Sequence, residues 1–169
     1  AVRKDIRTEV PLGHHVETLK LPRRMVTRSE KEWAQAKVDQ VLAKPAAKRS
    51  SAEESHRRWN QHVIDRFNEQ QANPKFDMEL HVLRLGDVAV ATNPFELFLD
   101  FGLRMKTQSK AQQTFIVQLT GSSGWYLPTI KAAAGGGYSA IIQSNLVGPE
   151  GGEVLVNRTL ELINAMWAK

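Results

Sequence analysis

The apolar residues of this chain change their spacing near residue 76, and this change constrains the fold more than any other feature. Between about residues 29 and 73 they recur with the period of about 3.6 residues that is typical of a helix. Beyond residue 76 the period falls to two, since Met78, Leu80 and Val82 alternate with other side chains. A helical part followed by a part rich in strands predicts an α/β or α+β layer arrangement.

Start and stop signals predict two helices in the first part. Ser29 with Glu32, and Ser51 with Glu54, each match the capping-box pattern in which a hydroxyl and a carboxylate satisfy free backbone N–H groups. Proline residues at 45 and 74 end the two helical patterns. Residues 1–24 are predicted to be extended, with a turn at 11–13, and residues 43–51 to form an exposed connection.

The second part is predicted to begin with a β-hairpin that turns at Gly86 and Asp87, after which Val88 and Val90 resume the alternation. An amphipathic helix follows, then a strand over 115–119, a long loop and a C-terminal helix. The first helix is predicted from Phe95, Phe98, Phe101 and Met105, and the strand from Phe115, Val117 and Leu119. The C-terminal helix is predicted from Leu155, Leu162 and Met166. We therefore expect a mixed sheet of few strands with flanking helices, as part of a larger two-layer or sandwich-type catalytic domain.

Composition excludes several classes of protein. The chain has 169 residues and no cysteine, so neither a disulfide framework nor a thiolate metal site is possible, and any metal must take oxygen and nitrogen ligands. No apolar run approaches the roughly 20 residues that span a bilayer. The net charge of +5 lies in residues 1–70, where basic and acidic residues are interleaved. Without a nucleic-acid-binding motif, we expect a solvated basic surface and no nucleic-acid partner.

Glu96 has two interpretations from its local sequence, Asn-Pro-Phe-Glu at 93–96. In the first, Asn93 caps a helix, Pro94 takes its first position and Glu96 its third, which is a capping box that needs no metal. In the second, a strand ending at Ala91 delivers the Glu96 carboxylate to a strand-to-helix junction, where it can face a cleft as a hard oxygen ligand.

Tyr126 lies in a glycine-rich turn directly after a predicted strand, within Gly-Ser-Ser-Gly-Trp-Tyr-Leu-Pro-Thr at 121–129. Such a loop allows the backbone to approach a ligand, although an aromatic residue there can equally be packing at the edge of the sheet. The serines do not form a nucleophile elbow, because Trp125 occupies the position of the last glycine.

Two other sequence features give weaker signals. Glycines 135–137 with Tyr138 lack both the Lys-Ser/Thr of a phosphate-binding loop and the spacing of a dinucleotide fingerprint, so they predict only a turned loop. His14 and His15 form the one histidine cluster, and we expect them to be solvated in a turn because no His-Glu-x-x-His pair is present.

The ordered set of these segments resembles the neutral (alkaline, non-lysosomal) ceramidase family over residues 76–168, and more weakly back to residue 21. The set comprises Leu-Arg-Leu-Gly-Asp-Val-Ala-Val at 83–90, Asn-Pro-Phe-Glu at 93–96, Gly-Leu-Arg-Met-Lys at 102–106, Tyr-Leu-Pro-Thr at 126–129 and Gly-Gly-Tyr at 136–138. Ser139 replaces a usual Glu and Phe95 a small Gly, so the resemblance is to a divergent branch.

The resemblance implies a zinc-dependent amidase that hydrolyses an N-acyl linkage, with Glu96 and Tyr126 as ligands of one catalytic Zn²⁺ and Tyr126 also acting in catalysis. Two histidine ligands and a serine would come from an upstream half of the same protein. Residues 1–169 would then be the C-terminal part of one catalytic domain. Within it, residues 1–75 would form an extended segment and two helices, and residues 76–169 the sheet, the ligand loops and the last helix.

The resemblance also implies an N-acyl lipid, such as ceramide, or a small amide as substrate, and an extracytoplasmic or secreted location. By itself, the chain is expected to be inactive. The alternative is a non-catalytic binding or assembly module that keeps the fold, uses its basic surface for an anionic partner or membrane, and binds no metal.

Overall fold

A computed structural model describes residues 6–168 and shows a mixed four-stranded sheet flanked by helices. Residues 1–24 are predicted to be extended, and residues 1–5 of this segment lie outside the described part of the chain. In chain order the elements are β1 (Leu12–Pro22), α1 (Arg28–Leu42), α2 (Ser51–Glu69), β2 (Lys75–Leu85), β3 (Val88–Thr92), β4 (Phe95–Leu97), α3 (Leu99–Gln108), β5 (Gln113–Val117), β6 (Trp125–Leu127), α4 (Ile130–Gly135) and α5 (Pro149–Met166). Short 3₁₀ turns occupy Ala46–Lys48, Tyr138–Ala140 and Ile142–Ser144. The predicted α/β class is confirmed.

The main sheet has the strand order β1-β2-β3-β5. β1 and β2 pair antiparallel over their full lengths, from Leu12 opposite Leu85 to Pro22 opposite Lys75. β2 and β3 form the predicted hairpin, and Gly86, with φ of 64°, supplies the left-handed conformation that its tight turn requires. β5 joins β3 in parallel, because α3 carries the chain back between the two strands.

One face of this sheet forms the main hydrophobic core with α3 and α5. Leu80 and Val82 of β2 are fully buried there, together with Phe101 of α3 and Ile163 of α5. In the hairpin, Ala89 and Ala91 face this core rather than Val88 and Val90. Register explains the difference, since Ala91 lies opposite the buried Val82 and paired residues share a face.

The other face of the sheet stays open in the described part of the chain. Its exposed apolar side chains include Phe115 at 51% and Leu85 at 48% of their full accessibility. The remaining exposed members are Leu12, Val16 and Val117. Contiguous apolar surface of this kind on a sheet is typical of a face that packs against another layer.

The two helices α1 and α2 pack against each other and form a second, smaller core. Each helix begins with a capping box, but the residues predicted for both boxes are wrong. Thr27, not Ser29, pairs with Glu30 at the start of α1, and Ser50, not Ser51, pairs with Glu53 at the start of α2. Thr27 and Ser50 are the N-cap residues because each has an extended backbone and a hydroxyl that accepts a hydrogen bond from the backbone N–H three residues later.

Four further expectations are corrected by the structure. The segment 11–13 is not a turn, because Leu12 and Gly13 already belong to β1. His14 and His15 therefore lie in a strand and not in a turn. Phe95 belongs to a strand and not to the helix predicted there, which begins at Leu99. The strand predicted over 115–119 ends at Val117, since Leu119 has a φ of 57° that no strand accommodates.

Candidate functional site

Glu96 and Tyr126 lie opposite each other on two short parallel strands. Because β3 and β5 are parallel neighbours, the segments that follow them leave the same edge of the sheet. These segments pair again as β4 and β6, with Glu96 as the direct register partner of Tyr126. Both residues follow strands, as their local sequences predict, and the structure shows that these strands are neighbours. The side chains of Glu96 and Tyr126 share one face of the small sheet.

The helix-cap interpretation of Glu96 is wrong. Asn93 is 98% buried and its side-chain oxygen accepts the N–H of Phe95 at 3.1 Å, but this turn leads into β4 and not into a helix. Glu96 is therefore in a strand, where its carboxylate caps no helix. A proline at 94 without an N–H, followed by an extended residue, suits this strand start as well as a helix start.

Three contacts hold the two strands in place. The Leu97 N–H donates to the Gln118 side chain at 2.8 Å, and the Gly124 N–H donates to the Pro94 carbonyl at 2.8 Å. Gly124 also lies directly against the ring of buried Phe95, where a Cβ would come within 2.4 Å of two ring carbons. A glycine is therefore required at 124 for β6 to approach β4.

The Tyr126 phenol is electrostatically coupled to Glu96. A hydrogen bond to the Glu96 carboxylate, with partial burial and the charge of that carboxylate, raises the pKa of Tyr126 above its ordinary value. The raised pKa keeps the Tyr126 phenol neutral at neutral pH when no cation is present. A divalent cation between the two oxygens would reverse this effect, because it favours both negative forms.

Aromatic side chains surround Glu96 and Tyr126 in a cleft of about 190 Å³. The Tyr138 ring lies 5.9 Å from both Tyr126 and Trp59, centroid to centroid, and Trp125 lines the same cleft. The two tyrosines of the chain and two of its four tryptophans thus meet here. Glycines 136 and 137, with φ of 72° and 94°, turn the loop that presents Tyr138.

Ser144 also lines the cleft and is 95% buried, yet its hydroxyl has no hydrogen-bond partner within the described residues. A buried hydroxyl without a partner costs free energy unless a water or a ligand satisfies it. His62 has a similar buried nitrogen, Nε2, and its ring packs edge-on against Trp125 at 5.2 Å. Burial, with a smaller effect from Arg66, lowers the pKa of His62, so this ring is neutral at neutral pH.

Two arginines, the buried Arg66 and the partly buried Arg24, fix the wall of the cleft. Arg66 of α2 donates to the Ile142 carbonyl at 2.8 Å and to the Arg24 carbonyl at 2.9 Å. Arg24 in turn donates to the Asn145 side chain and to the Ala140 carbonyl. The amide of Asn145 then donates to the Tyr126 carbonyl at 3.1 Å, so the wall is tied directly to β6.

A larger apolar groove of about 460 Å³ lies on the other side of this wall. It shares Gln143 with the cleft and is lined mainly by Trp33 and the apolar residues 140–142. The salt bridge between Arg24 and Glu30, at 3.7 Å, closes one side.

The donors in the cleft fit part of a zinc site. A carboxylate and a phenol on adjacent strands supply two oxygen ligands, whereas a catalytic zinc site has three protein ligands and an open position. Across residues 6–168, no three His, Asp or Glu side chains converge to hold a metal. Further ligands would therefore have to come from outside this part of the chain, as the sequence resemblance implies.

The walls of the cleft have no signal in the local sequence. Trp59 falls with Val63 and Phe67 at apolar positions of a helical pattern, and neither Ser144 nor His62 belongs to any motif. Clustering of both tyrosines within Gly-rich segments was the one available hint. None of the described helices is long and apolar enough to cross a membrane.

Comparison with known proteins gives matches only among solved structures, since neither protein-family models nor curated proteins match this sequence. Over 92% of its length the chain superimposes on the neutral ceramidase from Pseudomonas aeruginosa, with a TM-score of 0.54 and 13% identity. A ceramidase solved in complex with C2 matches 54% of the chain and 15% of its own length, with a TM-score of 0.48 and 15% identity. The chain spans only 29% of the Pseudomonas enzyme and has, as the sequence resemblance suggested, a ceramidase-like fold.

Proposed function

We propose that this chain supplies Glu96 and Tyr126 to the zinc site of a ceramidase-like amidohydrolase that cleaves an N-acyl linkage. Histidines from another part of the same protein complete the site. The observation that carries the proposal is the direct pairing of Glu96 with Tyr126 on β4 and β6. Chance rarely brings two oxygen ligands that are 30 residues apart into register at the wall of a cleft, in a chain that shares a ceramidase fold.

Each residue of the pair has a distinct role. The Glu96 carboxylate provides negative charge and a hard oxygen ligand, since no cationic side chain among the described residues lines the cleft with it. Tyr126 provides a phenol that either ligates or donates a hydrogen bond to the oxyanion that develops on the amide oxygen. Zinc, when bound, supplies Lewis acidity and a water of lowered pKa.

The surroundings suit a substrate with an amide next to an apolar chain. Trp59 and Tyr138 give the cleft aromatic walls, and the Ser144 hydroxyl, unpaired within residues 6–168, offers a hydrogen bond to a polar substrate group. The apolar groove behind residues 140–142 provides surface for an acyl chain. An N-acyl lipid of the ceramide type fits this arrangement, and an extracytoplasmic location agrees with such a substrate.

Substituting Glu96 by Gln in the longer protein tests the proposal. The amide keeps the shape of the side chain but removes the charge that zinc requires. We expect zinc content and N-acyl hydrolysis to fall together, by at least about tenfold, while the melting temperature of the metal-free protein hardly moves. Metal analysis, turnover of a short N-acyl substrate and calorimetry measure the three quantities.

Glu32→Gln is the matched control, because Glu32 lies on the exposed surface of α1 and pairs with the exposed Arg28. It should leave zinc content and turnover unchanged. If Glu96→Gln behaved like this control, the proposed site would be wrong.

The non-catalytic alternative gains little support from the basic surface. In α1, α2 and their connection, Lys44 pairs with Glu53, and Arg49 and Arg57 both pair with Glu54. These pairs place carboxylates beside three of the cations that an anionic partner would contact. Absence of zinc from the unmodified longer protein would favour this alternative.

A further inference from the structure

Two histidines on the open face of the sheet point their ring nitrogens at each other. His14 of β1 and His81 of β2 are diagonal cross-strand neighbours, because His81 lies opposite Val16. Nε2 of His14 lies 2.9 Å from Nδ1 of His81, and the rings are nearly parallel, at 7°. Strand pairing fixes both Cα positions, so the approach of the two rings is set by the sheet and not by a loop.

Glu79 determines which nitrogen of His81 carries the proton. Its carboxylate lies 2.7 Å from Nε2 of His81 and can only accept, so neutral His81 holds its proton on Nε2. The lone pair of Nδ1 is then directed at His14. A carboxylate that accepts from the far nitrogen of a histidine is also the usual outer partner of a metal-bound imidazole, where it orients the ring and raises its basicity.

We propose that His14 and His81 form a two-histidine site for a divalent transition metal, with Glu79 as the outer carboxylate. The metal binds Nε2 of His14 and Nδ1 of His81, and water fills the remaining positions. This site is independent of Glu96 and Tyr126, whose ligands are oxygens on other strands. Because its two ligands lie on β1 and β2, the metal links the edge strand β1 to its neighbour.

Metal binding requires the two rings to turn as well as to separate, because Nε2 of His14 and Nδ1 of His81 face each other along the line between the ring centres. With Zn–N bonds of about 2.0 to 2.1 Å and a tetrahedral angle, the two nitrogens must be about 3.3 Å apart. They therefore have to separate by a few tenths of an ångström from 2.9 Å. The exposed His14 side chain can make this shift, and its proton moves to Nδ1 so that Nε2 becomes a ligand. Cu²⁺ should bind more tightly than Zn²⁺.

Titration of the 169-residue chain with ZnCl₂ and, separately, CuCl₂ tests the site. We expect one equivalent of each metal to bind at neutral pH and to raise the melting temperature. His14→Asn and His81→Asn should each abolish both effects. Glu79→Gln should weaken binding by roughly tenfold or more through the outer contact alone.

Two controls separate this site from metal binding elsewhere in the chain. His15→Asn removes a histidine from the same strand but from its opposite face, where it contacts Glu17, so metal binding should persist. The double variant Glu96→Gln/Tyr126→Phe should also keep it, which makes this test independent of the proposed amidase site. Metal binding that survives His14→Asn, or that is lost in His15→Asn, would overturn the proposal, as would the absence of binding to the unmodified chain.

Discussion

At the scale of single residues, the site depends on one pair whose members change each other's chemistry. Glu96 raises the pKa of Tyr126 by accepting its hydrogen bond and by its negative charge. The Tyr126 phenol therefore keeps its proton at neutral pH when no cation is present. A cation bound to both oxygens would displace that proton, which gives the pair a measurable signature of metal binding.

Ionisation of Tyr126 can be followed by the ultraviolet absorbance of tyrosinate in a Tyr138→Phe variant, where it is the one remaining tyrosine. In the metal-free chain we expect Tyr126 to titrate above its ordinary pKa of 10.0. Adding Glu96→Gln removes the charge and should lower the midpoint. A midpoint that stays the same in the double variant would show that the two side chains do not interact.

Gly124 is the second residue on which the site depends, because it lets β6 approach the Phe95 ring. Gly124→Ala places a Cβ 2.4 Å from two carbons of that fully buried ring, so one of them must move. We expect a loss of about 2 kcal/mol in the free energy of unfolding, measured by urea denaturation.

Gly102→Ala provides the comparison for Gly124→Ala. Gly102 lies within α3, and a Cβ added there would meet no atom of the described residues within 4 Å. Alanine there should stabilise the chain by about 0.5 to 1 kcal/mol, because it restricts the unfolded chain and favours a helix. Equal effects of the two substitutions would contradict the packing argument.

At the scale of elements, a paired charge fastens the edge strand to the last helix. Arg158 of α5 donates to both carboxylate oxygens of Glu17 in β1, each at 2.7 Å. These hydrogen bonds lower the pKa of Glu17 to about 2, and His15 contributes a smaller part. The contact lies at the rim of the main core, with the Arg158 side chain 38% exposed.

Because of the ion pair between Glu17 and Arg158, the free energy of unfolding depends on pH. Since the pKa of Glu17 is 4.5 when unperturbed and about 2 in the folded chain, its contribution is complete above pH 4.5 and is lost as the pH falls toward 2. Exposure of the pair limits the contribution to about 1 kcal/mol. We expect Glu17→Gln to be less stable than the unmodified chain at neutral pH and equal to it near pH 2. A difference that does not change with pH would assign the effect to packing.

Strong periodic patterns predicted elements better than they predicted element ends. The hairpin around Gly86, the two capped helices and α5 are confirmed, because each has an apolar period and a turn or cap residue that agree. The helical spacing of Phe95 with Phe98, Phe101 and Met105 predicts a helix, yet Phe95 forms β4. That strand exists only through its pairing with β6, 30 residues away, and no local signal records such a pairing.

At the scale of the whole molecule, the chain combines a complete inner core with an open outer sheet face. The sequence resemblance correctly placed Glu96 and Tyr126 side by side, because it used the order of motifs and not local propensity. It could not place Trp59 or Ser144, which reach the cleft from α2 and a 3₁₀ turn through tertiary packing alone. The open apolar face agrees with a larger layered domain, in which a second layer covers this sheet.

Anomalous X-ray diffraction at the zinc edge, on crystals of the longer protein, tests the central claim most directly. The account predicts a zinc ion whose first ligands include a carboxylate oxygen of Glu96 and the phenolic oxygen of Tyr126, each at about 2.0 to 2.2 Å, with imidazole nitrogens from elsewhere in the protein. Zinc bound at full occupancy away from both oxygens, with Tyr126 still donating its hydrogen bond to Glu96, would contradict it.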